Sequence, residues 1–151
     1  MLYFEDFKVG EKSITHSRTI TEADIVNFAA LSGDWNPLHV DKEFAHNGPF
    51  GERIAHGLLV LSVTSGLFSP ELIFNKWSLI AFYGIDKLRF IAPTKIGDTI
   101  QTELETINKK VKNDNSGIVD LKITTRNQHN KEVLVFIAKF LLKKHNNTLI
   151  T

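Results

Sequence analysis

Residues 58–68 read LLVLSVTSGLF, and this apolar run constrains the fold more than any other segment of the chain. A helix beginning near His56 would be apolar on nearly every face, and such a helix has to be buried. At about a dozen residues it is too short to span a bilayer, which needs about 20. We therefore predict a helix at the centre of a core and no association with a membrane.

The start of this helix is a candidate site for an oxyanion. Residues 51–57 read GERIAHG, a glycine-bearing loop that leads directly into the apolar run. The first turn of a helix has unpaired backbone N–H groups and carries the positive end of the helix dipole. These groups can stabilise negative charge that develops on an oxygen atom.

The second half of the chain has the pattern of half-buried strands. Apolar and polar residues alternate over 100–106 and over 119–126. From Trp77 onward we predict four successive antiparallel strands joined as a meander. Turn-forming residues separate these strands at 93–98, 113–117 and 128–131.

The last of these strands, 133–142, is apolar on both faces, which suits either a central strand or a subunit interface. The first half of the chain is interpreted as helices and loops. A buried helix followed by a long antiparallel meander predicts an α+β fold in which the sheet wraps around the helix. With 151 residues, the chain is expected to form a single domain over 1–144, followed by a frayed polar tail over 145–151.

An amphipathic helix is predicted ahead of the apolar run. TEAD at 21–24 resembles a capping box with Asp in the place of Glu, and Ile25, Phe28 and Ala29 fall on one helical face. Gly33 suits the left-handed position just past a helix C-terminus.

The next segment, DWNPLH at 34–39, places a carboxylate and an imidazole five residues apart. Pro37 lacks a backbone donor and moves Asn36 into an extended conformation, so we predict a shaped loop that is neither helix nor strand. Asp34 and His39 are candidates for proton transfer. Asp and Asn are also common in purely structural turns, so this segment alone leaves both interpretations open.

Other conspicuous residues have structural interpretations that we favour. His56 precedes the proposed oxyanion donor, but a histidine at a helix start more often forms structural hydrogen bonds, and we assign it to the scaffold. No supporting cluster fixes a ligand geometry for His39, Asp41 and His46, so no metal site is predicted.

Composition excludes several classes of function. Lys and Arg number 18 against 17 acidic residues, without a basic block, which gives no support to a nucleic-acid surface. The chain has no Cys, which excludes a disulfide framework, a thiolate nucleophile and a cysteine zinc site. The N-terminal residues lack the features of a signal peptide, so a cytoplasmic location is expected.

The motifs DWNPLH and RIAHGLL resemble those of the MaoC-like (R)-specific enoyl-CoA hydratases and dehydratases. FEDFKVG near the start and IAPTKIGDT later extend the resemblance over 3–143. It implies the hot-dog fold, an antiparallel sheet wrapped around a central buried helix. It also implies that Asp34 and His39 form the catalytic pair, that the Gly57 N–H binds the thioester oxygen, and that Ser65 lines the active site.

The implied reaction is reversible hydration of a trans-2-enoyl-CoA to a (3R)-3-hydroxyacyl-CoA. Asn36 would hold the loop or orient the water. We favour Asp34 as the base for water and His39 as the donor of a proton to C2. No cofactor is expected, because coenzyme A is part of the substrate, and acyl carrier protein is an alternative carrier. Arg53, Arg89 and Lys95 suit the phosphates of coenzyme A, although surface solvation is the favoured role of each.

Two other classes of function share these features. A hot-dog thioesterase would use the same oxyanion site to hydrolyse the thioester, and a non-catalytic acyl-thioester binding module would keep the helix and a groove. The latter has no need of Asp34 and His39 together. Because a single wrapped sheet leaves edge strands that need protection, at least a homodimer is expected.

Overall fold

The computed structural model describes residues 1–145. Of the predicted frayed tail, 146–151 lie outside the described residues, whereas the His145 N–H donates to the Glu5 carboxylate at 3.0 Å. A short 3-10 turn at Phe4–Asp6 opens the chain. The helices are α1 (Glu22–Ser32), α2 (Pro37–Val40), α3 (Lys42–His46) and α4 (Gly57–Phe74). The strands are β1 (Lys12–Thr19), β2 (Leu79–Phe90), β3 (Thr99–Asn113), β4 (Ser116–Arg126) and β5 (Glu132–Lys143).

The strands form a five-stranded antiparallel sheet in the order β1-β3-β4-β5-β2. The predicted meander is confirmed for β3, β4 and β5, which pair in sequence. It is wrong for the first link, because β2 pairs with β5 and not with β3. Alternation and turn residues indicate where strands begin and end, but they do not specify the neighbour of each strand.

Strand β1 was not predicted, since the first half of the chain was interpreted as helices and loops. Its sequence, KSITHSRT, is polar, and only Thr15 is buried. An edge strand with one buried position has no apolar alternation for a sequence pattern to detect.

Helix α4 lies against β1 and β3 and supplies much of the core. Its buried side chains are Leu59, Val60, Val63, Thr64, Leu67 and Phe68. The predicted burial on all sides is wrong for the single chain, because Leu58 is 58% exposed. The helix is also longer than predicted, and its 18 residues meet the length and hydropathy of a membrane span, as core helices of soluble proteins also do.

Strand β5 lies between β4 and β2, so the central-strand interpretation of its apolar run is the one observed in the chain.

The two edge strands of the sheet, β1 and β2, differ in polarity. Strand β2 forms an outer edge, and its first residues, LIAFY at 79–83, carry no charge. Large apolar side chains are exposed there at Leu79, Ile80, Phe82 and Tyr83. This edge is therefore apolar and unpaired within the described chain.

Candidate active site

The end of helix α1 determines the position of Asp34. Its capping box is observed: the Thr21 hydroxyl accepts from the Asp24 N–H, and the Asp24 carboxylate accepts from the Thr21 N–H. The helix ends as predicted at Gly33, which adopts the left-handed conformation with φ 78°. Asp34 follows this fixed end, and its N–H donates to the Ser32 hydroxyl at 3.2 Å.

The segment after Asp34 is not the irregular loop that we predicted, because it contains the helical turn α2. Proline fits the first position of a helix, where no backbone donor is required. Asn36 is extended, as the following Pro37 requires, and its side chain caps the turn by accepting from the Leu38 N–H at 3.0 Å. Asn36 also donates its own N–H to the Asp34 carboxylate at 3.3 Å. It therefore holds this segment, which is one of the two roles proposed for it.

His39 lies on α2 and is buried. Its Nδ1 is 2.8 Å from the backbone oxygen of Ile54. A carbonyl oxygen only accepts, so Nδ1 carries the hydrogen. In the neutral ring, Nε2 then holds the lone pair and is the atom available to exchange a proton.

The structure brings Asp34, His39 and His56 together. One oxygen of Asp34 and one ring nitrogen of each histidine lie within 4.8 Å of one another. The two imidazoles stack with centroids 3.8 Å apart and planes tilted by 30°. His56 was assigned to the scaffold, and its place in this cluster was missed. The available signal was its position directly before Gly57, at the start of α4.

The same cluster has the composition of a metal site, but the orientation of its rings does not suit one. A metal ion lies in the plane of each imidazole ligand, about 2.0–2.1 Å from the nitrogen. The imidazole rings of His39 and His56 are stacked at 3.8 Å with planes tilted by 30°. Lone pairs that lie in two such stacked planes are not directed to a common point. Asp41 and His46, which were first considered as ligands together with His39, have other contacts. The Asp41 carboxylate caps α3, and His46 contacts the backbone oxygen of Gly51.

Gly57 is the first residue of α4, so its N–H has no acceptor within the helix. Phe90, at the end of β2, packs on its α carbon, and a Cβ at this position would lie 2.9 Å from the Phe90 ring. Gly57 opens onto a cavity of ≈ 320 Å³, which we call the Gly57 groove. Its walls are mainly apolar and include Phe50, Ile54, Val60, Phe90 and Val133.

Ser65 is not among the residues that line the Gly57 groove. It is exposed on the same face of α4 as Leu58 and Ser62, and its hydroxyl donates to the Ser62 backbone oxygen at 2.8 Å. The role of Ser65 in lining the site stays a prediction.

Two of the three candidate cations are engaged by carboxylates. Arg53 pairs with Glu22 at 2.7 Å and Lys95 pairs with Glu52 at 2.6 Å. The hydrogen bond that Lys95 donates to the Glu52 carboxylate raises the pKa of Lys95 above its ordinary value. Arg89 has no acidic partner among residues 1–145 and donates to the Leu88 backbone oxygen at 2.8 Å.

Comparison with known proteins gives a family match over most of the chain. The model of the MaoC like domain matches residues 6–127. Protein MaoC of Klebsiella aerogenes is 47% identical over 114 residues, which are 76% of this chain and 33% of that protein. The (R)-specific enoyl-CoA hydratase of Rhodospirillum rubrum is 43% identical over 98 residues, 65% of each chain. The chain thus spans a third of the first relative and just under two thirds of the second.

Solved structures agree on the fold. A protein from Archaeoglobus described as a monoamine oxidase regulatory protein has a TM-score of 0.89 and 41% identity, over 95% of both chains. A Mycobacterium tuberculosis protein described as having a double hotdog fold has a TM-score of 0.82 over 97% of this chain and 45% of that one. At 21% identity the second likeness shows the fold alone. The sheet around α4 is therefore a hot-dog fold, as the sequence predicts.

Proposed function

This chain belongs to the MaoC-like domain family, and on that premise we propose that it hydrates trans-2-enoyl thioesters reversibly to (3R)-3-hydroxyacyl thioesters. One observation carries the proposal. The Asp34 carboxylate and a ring nitrogen of His39 lie within 4.8 Å of each other, and the third member of their cluster, His56, directly precedes Gly57 in the chain. Two groups that exchange protons and one oxyanion donor are what this addition requires.

In the hydration direction, Asp34 removes a proton from water as the oxygen attacks C3. His39, protonated at Nε2, then delivers a proton to C2. Nε2 has this role because Nδ1 is committed to the Ile54 carbonyl. One turnover leaves a proton on Asp34 and a neutral His39, and transfer between these neighbours restores the pair. The two groups form a coupled unit, and the dehydration direction reverses each step.

The Gly57 N–H stabilises the other charge of the reaction. As water adds at C3, negative charge develops on the thioester oxygen. A fixed backbone donor at the start of α4 is already oriented toward such an oxygen, with the helix dipole favouring the same charge. The apolar walls of the Gly57 groove suit the acyl part of the substrate and limit access of water to the enolate.

An absorbance assay tests the proposal. Hydration removes the conjugated double bond of an enoyl thioester, so ultraviolet absorbance falls as the reaction proceeds. We expect turnover of crotonyl-CoA or of a longer, branched or dicarboxylic enoyl-CoA, with a (3R) alcohol as product by chiral analysis. Running the panel on coenzyme A and on acyl carrier protein identifies the carrier. Failure with every member of the panel contradicts the proposal.

The same panel separates the other classes of function. Release of free thiol from a saturated acyl-CoA would indicate a thioesterase. Saturable binding of enoyl-CoA without turnover would indicate a binding module.

We also propose that the protein assembles as a homodimer through the unpaired edge of β2. The uncharged and exposed residues of this edge, including Ile80 at 47% exposure, would pair with a second copy and remove an edge that is open to aggregation. Sedimentation at micromolar concentration is expected to give an active species of at least twice the 17.1 kDa chain mass.

A charge on this edge tests the location of the interface. Ile80→Lys is expected to shift the sedimenting species toward 17.1 kDa, since Lys on an edge strand opposes pairing with another strand. Val26→Lys is the control, because Val26 is similarly exposed, at 41%, but lies on α1. An active wild-type species of 17.1 kDa would contradict the assembly proposal.

A further inference from the structure

His56 adjoins each of the three residues to which the proposed reaction assigns a role in catalysis. It directly precedes Gly57 in the chain. Its ring stacks on His39 at 3.8 Å, and its Nε2 lies 3.0 Å from the backbone oxygen of Asp34. With 3% of its surface exposed, it is more deeply buried than either of its two partners in the cluster. A change in the position of His56 would therefore act on all of these groups.

The contact with Asp34 determines which nitrogen of His56 carries the hydrogen. The acceptor is a backbone carbonyl, so Nε2 donates and Nδ1 holds the lone pair of the neutral ring. Nδ1 is buried and has no hydrogen-bond partner within the described part of the chain. Buried polar atoms are nearly always paired. The bond from Nε2 to Asp34 is therefore the one hydrogen bond that the His56 ring forms within the described residues.

The packing around His56 does not by itself require a histidine. His56 is the N-cap residue of α4, yet its side chain makes no capping hydrogen bond to the helix. On its other side lies Phe28 of α1, with ring centroids 4.9 Å apart. Phenylalanine or leucine could fill the space between Phe28 and His39 without leaving a buried nitrogen unpaired. Neither of them could donate to Asp34.

Asp34 is the member of the cluster that most needs such a donor. It is exposed and lies in the coil between α1 and α2. Its N–H is held by Ser32 and its carboxylate by the Asn36 N–H, both of them neighbours in the same segment. The bond from His56 connects Asp34 to α4, and thus to the element that carries the oxyanion donor.

We propose, resting on the hydratase function proposed above, that His56 is a positioning residue whose Nε2–H holds the Asp34 backbone, and with it the carboxylate, in line with His39 and the Gly57 N–H. The substrate contacts are made by the other groups, so the role of His56 lies in the proton-transfer step. A misplacement of about 1 Å in such a site can lower the rate about 10²-fold.

Amide variants separate this role from a purely structural one. The side-chain nitrogen of Gln lies as many bonds from Cα as His Nε2, whereas that of Asn matches Nδ1. His56→Gln is expected to keep most of the wild-type kcat. His56→Asn and His56→Leu are each expected to lose about 10²-fold in kcat with little change in KM. Thermal midpoints of all variants are measured alongside.

His46 provides a matched control. It is exposed, lies outside the cluster, and its Nδ1 also contacts a backbone oxygen, that of Gly51 at 3.3 Å. His46→Gln and His46→Leu are expected to leave kcat and KM unchanged.

Failure of this inference can be told apart from failure of the proposed function. A wild-type protein inactive on every enoyl thioester would overturn both. An active wild type with a folded His56→Gln no better than His56→Leu would overturn the positioning role alone. The imidazole ¹⁵N spectrum of the wild type is independent of turnover and of how the variants fold. It is expected to show neutral His56 protonated at Nε2, and protonation at Nδ1 would overturn the contact.

Discussion

Asp34→Asn and His39→Asn are each expected to lower kcat/KM for an enoyl-CoA by about 10²–10⁴-fold, the usual contribution of general acid–base catalysis. Both variants should stay folded. Asn at 34 keeps an oxygen that can accept from the Asn36 N–H, and Asn at 39 keeps a nitrogen at the place of Nδ1, within reach of the Ile54 carbonyl. His39→Ala is expected to lose as much activity and, in addition, some stability, because it leaves a buried carbonyl unpaired.

The double variant of Asp34 and His39 should be scarcely less active than either single variant, since groups that act as a unit are not additive. Asp114→Asn, in the exposed turn between β3 and β4, and His46→Ala are the controls and should have wild-type kinetics. Near-wild-type turnover by either single variant, with crotonyl-CoA and with every longer substrate, would show that the catalytic pair is wrongly assigned.

Gly57→Val is expected to lower kcat by about 10²–10³-fold, the effect of losing one oxyanion donor. The side chain of valine would overlap the Phe90 ring, which lies 2.9 Å from the position of a Cβ. Relief of that overlap displaces either the half-exposed Phe90 ring or the start of α4, and the second of these moves the N–H. Activity and thermal midpoint are measured together, because overpacking also destabilises by about 1–3 kcal/mol.

Gly66→Ala is the matched control for this substitution. Gly66 belongs to the same helix, and a Cβ there would have nothing within 4 Å. Activity should be unchanged, while stability should rise by up to about 1 kcal/mol, because alanine favours a helix over glycine. Adding Phe90→Ala to Gly57→Val should restore part of the lost kcat. Full activity of Gly57→Val would contradict the prediction that a side chain at position 57 displaces the start of α4.

The sequence predicts those parts of the site that depend on local chain chemistry. The capping box at Thr21, the left-handed Gly33 and the extended Asn36 follow from residue types alone, and together they determine where Asp34 emerges. The apolar run after Gly57 likewise predicts the core helix. Family resemblance adds the hot-dog fold and the pairing of Asp34 with His39.

Features that depend on contacts distant in sequence were not predicted. The Asp34 carbonyl and the His56 ring are 22 residues apart, and no local pattern connects them. The pairing of β2 with β5 across two intervening strands is of the same kind. The helical turn at Pro37 was missed for a different reason: the proline was taken to exclude a helix, although it favours the first helical position.

The backbone and the side chain of Ile54 have different roles at this site, and a mutation changes only the side chain. Its carbonyl determines that Nδ1 of His39 carries a hydrogen, while its side chain forms part of the wall of the Gly57 groove. A main-chain oxygen is present whatever the side chain, so a mutation at this codon can reshape the wall and leave the acid–base pair intact. For the hydratase function proposed above, single mutations at position 54 would therefore change the substrate range while Asp34 and His39 keep their positions.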